Sequence, residues 1–354
     1  MGSFYVTKIF FFATLSFLIA MLLTPFLMKI LYKYNLGKKI RDEKTTPIFS
    51  KMHKKKVGTP VMGGILIWGT TIIIAVSFYY LSKFTKIEFF TNYNFLTRPQ
   101  TLLPLGALFA SALIGLVDDY LNTRQIGPNG GGFKASHRLF IYSALAIIVA
   151  SIGASWFYWK LEWDLMRIPF VGNFEIGFWS IPLFILVIVS TAFSVNEIDG
   201  LDGLAGGVLL AMFTAYSAIS FVQGKYDLAT FCGVIVGALL AFLWFNINPA
   251  KFFMGDTGAM SLGVTIAIVA MLTNTVLLLP ILGFLLVVES GSVIIQCLSK
   301  KFRHGKKVFL SSPIHHHLEA KGWKEATIVM RFWVISAIST VIGLIIVLID
   351  KGWR

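Results

Sequence analysis

Long apolar runs separated by short polar breaks set the pattern of this chain. Ten runs stand out, at about 9–31, 63–82, 101–117, 139–158, 179–195, 203–222, 228–245, 259–276, 277–297 and 329–349. Each is near the length an α-helix needs to cross a bilayer, about 17–25 residues. The pattern predicts an all-α integral membrane protein with about ten transmembrane helices, in a single polytopic membrane domain over residues 1–354. Pro280 and Gly283 lie near the boundary of the eighth and ninth runs, where either could kink a helix rather than end it. The first run is too long for a signal-peptide core and has no cleavage site behind it, so it reads as a retained helix.

Composition supports the pattern. Hydrophobic residues make up 56% of the chain and the mean hydropathy is +0.76, which excludes a soluble domain of this size. The net charge of +14 would suggest nucleic acid in a soluble protein. Here the basic residues sort by loop. Loops after odd-numbered runs hold the cluster from Lys38 to Lys56, then Arg124, Lys134, Arg138, Lys251 and the group from Lys300 to Lys324. Loops after even-numbered runs hold Lys83, Lys86, Arg98, Lys160, Arg167 and Lys225. The heavier loops are expected in the cytoplasm, which puts both termini on the extracytoplasmic side. There is no zinc-finger spacing and no basic helix interleaved with aromatics, so no nucleic-acid partner is expected. Cys232 and Cys297 sit in apolar runs and read as packing residues. Trp156, Trp159, Trp163, Trp179, Trp323 and Trp353 fall near predicted helix ends, as an aromatic belt would.

The polar breaks carry the candidate chemistry. One reads Phe245-Asn-Ile-Asn-Pro-Ala-Lys-Phe-Phe-Met-Gly-Asp256-Thr-Gly, with a single acid in a glycine turn. Asp256 there is either an N-cap or a ligand for a metal ion bound to phosphate. A second break opens with Gly115-Leu-Val-Asp118-Asp119, and paired acids at a membrane helix end are functional by default. Adjacent carboxylates on a helix point about 100° apart, so the two are expected to do different work. A third reads Asn196-Glu-Ile-Asp199-Gly-Leu-Asp202-Gly; if helical, Asn196, Asp199 and Asp202 share one face. The first cytoplasmic loop ends Lys56-Val-Gly-Thr-Pro-Val-Met-Gly-Gly64, whose glycines and proline could hold Lys56 against a phosphate. The basic cluster before it reads as a contact with anionic lipid heads. The last loop carries Pro313-Ile-His315-His316-His317. Consecutive side chains diverge, so a single-ion His₃ zinc site is sterically awkward, and contact with an anionic substrate is preferred. The acids Asp118, Asp119, Asp199, Asp202 and Asp256 all fall at predicted cytoplasmic helix ends, which places the active site at the cytoplasmic face.

From about residue 38 to 325 these motifs, in this order, resemble the polyprenyl-phosphate N-acetylhexosamine-1-phosphate transferases. Pro-Ile-His-His-His is similar to the phospho-N-acetylmuramoyl-pentapeptide transferase branch in particular. The resemblance implies attack of undecaprenyl phosphate on the β-phosphate of UDP-N-acetylmuramoyl-pentapeptide, giving lipid I and UMP, with Mg²⁺ as cofactor. It implies that Asp256 is the metal ligand and that Asp118 is the base or nucleophile at the reacting phosphate, with Asp119 beside it. It places the nucleotide near Asn246, Phe253 and Asp202, with Phe253 available to stack uracil, and His315 and its neighbours at the sugar-phosphate end. The implied partners are the two substrates and membrane lipids in a bacterial plasma membrane. A homodimer is left open. The chain departs from the family pattern at Val61, Asn122, Arg138, Phe193 and Glu197. Two other readings stand beside this one. A relative that transfers another UDP-sugar would share the acids but not the histidine motif. A transporter would also account for membrane acids, but its site would lie near mid-membrane, often within inverted repeats; here no repeat is found and the acids lie at one face.

Overall fold

A computed structural model describes residues 2–37, 56–85, 87–97, 99–126 and 165–350, together with Ala144 and Ile148. The chain is overwhelmingly helical, because in lipid a helix satisfies every backbone polar group within its own segment. The long helices are α1 (Gly2–Lys33), α2 (Ile65–Phe84), α4 (Pro99–Arg124), α5 (Ser180–Ile198), α6 (Leu204–Val222), α7 (Tyr226–Asn246), α8 (Gly255–Leu272), α10 (Phe284–Phe302) and α12 (Glu325–Ile349). Short helices are α3 (Glu88–Tyr93), α9 (Leu279–Leu282) and α11 (Ile314–Ala320). Eight described helices are long and apolar enough to cross a membrane. A ninth candidate is the pair Val276–Leu282 and Phe284–Phe302, bent by 83°. The break falls at Gly283, so the kink expected near Pro280 and Gly283 is real, and α8 ends separately at Leu272. The fourth apolar run, 139–158, lies outside the described residues, as do Trp156, Trp159, Trp163 and Trp353.

Helix α8 is the centre of the bundle: 89% of its apolar window is buried, against 22% for α1 and 33% for α12. Its sequence is rich in small residues, Gly258, Ala259, Ser261, Gly263, Thr265 and Ala267. Small residues let backbones approach where lipid gives helices no hydrophobic reason to associate. A methyl group at Gly263 would come within 2.7 Å of the Ala192 Cα on α5. The outer helices show apolar side chains to the lipid instead, as with Phe10, Leu22 and Phe26 on α1. Cys232 is buried in α7 and does pack; Cys297 is exposed on α10, so the packing role holds for only one of the two.

One element breaks the all-α pattern. Strands β1 (Leu165–Ile168) and β2 (Gly172–Glu175) pair antiparallel, with Leu165 opposite Glu175 and Ile168 opposite Gly172. The hairpin is tied to the helix ends beside it. Arg167 N–H donates to Asn274 Oδ1 at 3.0 Å, and its guanidinium forks onto Asp350 just beyond α12.

Candidate active site

The site is built around the first turn of α8. A helix N-terminus leaves backbone N–H groups without intrahelical partners and carries partial positive charge. Here the cap comes from another helix. Asp119, in α4, accepts the Asp256 N–H on Oδ1 and the Thr257 N–H on Oδ2, both at 3.0 Å. Asp199, just past α5, accepts the Gly255 N–H at 3.2 Å. Gly255 has φ +74°, and a methyl there would meet Asp119 Oδ2 at 2.5 Å, so a side chain is excluded twice. Asp256 is therefore not an N-cap. It stands in the first turn as a side chain held by its own backbone, with Oδ1 accepting from Asn196 Nδ2. Thr257 adds a bond from its hydroxyl to the Ala112 carbonyl of α4 at 2.8 Å.

The glycine-rich segment before α2 docks on the same turn. Gly63 N–H donates to the Phe253 carbonyl at 2.7 Å and Gly64 N–H to the Met254 carbonyl at 2.8 Å, while Phe253 N–H donates to the Pro60 carbonyl. A methyl at Gly64 would strike the Gly258 Cα at 2.3 Å, and one at Gly115 the Asp256 carbonyl oxygen at 2.4 Å. Three chain segments thus meet backbone to backbone where side chains would not fit.

Asn196, Asp199 and Asp202 do not share a helix face. Helix α5 ends at Ile198, Asp199 has ψ 54°, and Gly203 at φ +82° starts α6. The turn between sends the three side chains to two places. Asn196 and Asp199 reach Asp256 and Gly255, whereas Asp202 turns to Lys56, whose Nζ lies 2.7 Å from Asp202 Oδ1. Lys56 also ion-pairs Glu325, at the start of α12. Glu325 accepts the Asp202 N–H at 2.7 Å, and Asn248 Nδ2 bridges Asp202 and Glu325 at 3.0 and 3.2 Å. Lys56 Nζ lies 5.8 Å from the centroid of the half-buried Phe253 ring. Asn246 is buried, and both ends of its amide serve the backbone: Oδ1 accepts the Gly203 N–H and Nδ2 donates to the Phe252 carbonyl.

The three histidines point to three different places. His315 is fully buried, with Nδ1 at 2.9 Å from Glu289 on α10. His316 Nδ1 lies 2.7 Å from Glu319 Oε2. His317 Nδ1 accepts the Leu310 N–H at 3.1 Å. The divergence expected of consecutive side chains holds.

The pattern of the sequence did not single out Glu289 or Glu325, and it set Asn248 beside the Asp256 turn without a role. Glu289 had a signal, as a lone acid inside an apolar run. Glu325 lies just ahead of the last apolar run, 329–349, and carried no signal of its own.

The carboxylates fit a hard divalent cation. Asp119 interacts electrostatically with Asp256 and Asp118, and Asp118 is buried. Among the described residues no group of three or more side chains forms a closed protein cage. Mg²⁺ asks for no such cage, since it commonly takes one or two carboxylates and completes its shell with water and substrate phosphates. Both Asp119 oxygens hold backbone N–H groups, and Asp256, in the same turn, is the carboxylate that could hold the ion.

Comparison with known proteins shows the family. A family profile described as Glycosyl transferase family 4 matches residues 101–274, which hold the aspartate pair and the α8 turn. Three similar proteins are each named phospho-N-acetylmuramoyl-pentapeptide-transferase. That of Chloroflexus aggregans is 35% identical over 345 residues, covering 95% of this chain and 89% of that protein. That of Bacillus subtilis is 35% identical over 333 residues, covering 94% and 95%. That of Bacillus mycoides is 38% identical over 339 residues, covering 94% and 96%. The chain belongs to the phospho-N-acetylmuramoyl-pentapeptide transferase family. Membership spans nearly the whole chain. The protein is a multi-pass protein of the bacterial plasma (inner) membrane, with helices long enough to cross it.

Proposed function

We propose that this chain transfers phospho-N-acetylmuramoyl-pentapeptide from UDP-N-acetylmuramoyl-pentapeptide to undecaprenyl phosphate. The products are lipid I and UMP, in the first membrane step of peptidoglycan synthesis. The observation that carries the reading is the likeness to relatives of that name over nearly the whole chain, in which Asp119, Asp199 and Asp256 meet at one helix turn. The runner-up, transfer of another UDP-sugar phosphate, lacks a matching observation.

The chemistry divides among the residues. A phosphate monoester has a second pKa near 6, so the lipid phosphate is largely dianionic at neutral pH and needs little deprotonation. Bringing two anions together is the harder task. Bound Mg²⁺, held by Asp256 with Asp118 close by, would supply electrostatic stabilisation for the phosphates and the leaving nucleotide. Asp118 orients the reacting phosphate. Asp119 sets the α8 turn and hence the direction of Asp256. Lys56, Asp202 and Phe253 form the nucleotide side, where the ring can stack on uracil and the ammonium can meet phosphate or base. His316 and His317 lie toward the sugar-phosphate end.

We propose ten spans in all, counting the run 139–158, with both termini extracytoplasmic and the site cytoplasmic, on the Lys and Arg bias of the loops. Cysteines placed at Asn122 and Lys251 should then label from the cytoplasm alone; labelling from outside intact cells would overturn that orientation. A homodimer is also proposed, and the mass of the protein in detergent solution would read it.

The direct test is transfer by purified protein, with and without Mg²⁺. Lipid I should form with Mg²⁺ and fail to form after chelation. Use of UDP-N-acetylglucosamine as readily as the muramoyl nucleotide would favour the runner-up.

A further inference from the structure

Glu289 lies in α10, part of the bent membrane-spanning pair, and is fully buried. A carboxyl group there is costly unless a partner offsets it. Its partner is His315, with Oε2 2.9 Å from Nδ1 and both side chains at 0% exposure. The other polar atoms of the pair, Glu289 Oε1 and His315 Nε2, are buried with no hydrogen-bond partner among the described residues. With no acceptor at Nε2, the imidazole proton belongs on Nδ1, facing the carboxylate. The Nδ1–Oε2 contact therefore fixes the plane of the ring.

The opposite edge of that ring has a definite neighbour. A methyl group at Gly200 would come 2.2 Å from His315 Nε2 and 2.8 Å from Cε1. The ring thus lies against the one residue type that leaves room for it. Gly200 stands between Asp199, which holds the Gly255 N–H, and Asp202, which holds Lys56. A continuous path runs from Glu289 through His315 and Gly200 to the start of α8 and to the Lys56 cluster.

We propose that Glu289 is a positioning residue for the transfer, locking the His315 ring as a strut against Gly200 and so setting the turn that carries Asp199 and Asp202. The role in transfer rests on the function proposed above; the role as a strut does not. Being fully buried, the first histidine of the Pro-Ile-His-His-His motif acts through the loop it props rather than by touching the donor.

Glu289→Gln and Glu289→Met separate position from charge. Glutamine keeps an oxygen that can accept from Nδ1, whereas methionine keeps the bulk without an acceptor. In the full-length detergent-solubilised protein, kcat and KM for UDP-N-acetylmuramoyl-pentapeptide are measured beside amide exchange over residues 199–207. Glu289→Met should lower kcat about tenfold or more, with a smaller change in KM, and should speed exchange in that segment while the far ends of α6 and α7 stay protected. Glu289→Gln should stay within about threefold of wild type in both. Gly200→Ala pushes the ring from the other side and should reproduce the local exchange, which keeps the test usable if Glu289→Met does not fold. Unchanged exchange in Glu289→Met, or in Gly200→Ala where Glu289→Met does not fold, overturns the proposal. So does a Gln variant as impaired as the Met variant. Wild-type protein without transfer activity would count against the proposed function instead, and the exchange comparison would still judge the strut.

Discussion

The two ends of the helix bundle both bury charge, and they use it differently. At the end away from the acid cluster, charges are matched at close range. Lys8 donates to Asp227 at 3.2 Å and to the Asn94 carbonyl at 3.0 Å, and Thr97 donates to the other Asp227 oxygen. Arg167 forks onto Asp350. Lys225 donates to the Leu272 carbonyl at the end of α8 and to Gln223. At the other end, carboxylates from α4, α8, α12 and the loop between α5 and α6 gather, and Lys56 pairs with two of them, Asp202 and Glu325. Helix α8 shows the contrast along one axis. Its C-terminus meets the Lys225 ammonium and its N-terminus the Asp119 carboxylate, each complementing the macrodipole. The first contact ends there. The second also aims Asp256, the next side chain in line. Matched charges hold a fold, while gathered like charges suit the cation site proposed for Asp256.

The comparison breaks most sharply at Asp256. Asp256→Asn should keep the helical fold and lose about a thousandfold in turnover, as expected when one preorganised electrostatic group is removed. Turnover and circular dichroism on the same preparation check this; near-normal turnover would remove Asp256 from the metal. Asp119→Ala should damage both properties, since two buried N–H groups lose their acceptor. A loss of about 2–4 kcal/mol in stability is expected from the size of such penalties, with turnover falling alongside. If Asp119→Ala altered stability alone, the cap would not be aiming Asp256.

At the paired end, Lys8→Met should lower stability by about 3 kcal/mol, because it leaves Asp227 without its cation. Turnover at a temperature where the variant stays folded should remain within about twofold of wild type. A large loss of turnover there would erase the division between the two ends. The smallest effect is a slope with pH. Burial pushes the Lys225 ammonium down to about 8 from its ordinary 10.5. The folded chain then gives up its proton before the unfolded chain does. Its contribution to stability is present above 10.5, is lost as pH falls through that window to about 8, and changes little below. Thermal midpoints between pH 8 and 10 should therefore slope upward more in wild type than in Lys225→Met.

Much of this molecule is legible in its sequence. Most of the long described helices lie within about four residues of their apolar runs, because lipid enforces length and internal hydrogen bonding on each segment separately. The family and its reaction also follow from motif order. The acids are legible as a set, since a carboxylate at a membrane helix end is costly to keep unless it does chemistry or pairs with a cation. Their division of labour is not. Asp118 and Asp119 are adjacent and identical in type, and only the approach of α4 to α8 makes Asp119 a cap for a helix far away in the chain. Asn196, Asp199 and Asp202 have helical spacing, yet glycines stop the helix and send them to separate partners. Glu289 stood out in sequence only as a lone acid in an apolar run, and its partner His315, like the Glu325 contacts to Lys56 and Asp202, came only from how α10 and α12 pack beside the loops they serve. Hydropathy and motif spacing act along the chain and are written in it, whereas a hydrogen bond between Asp119 and Thr257 depends on how helices cross, which residues far apart in sequence decide together.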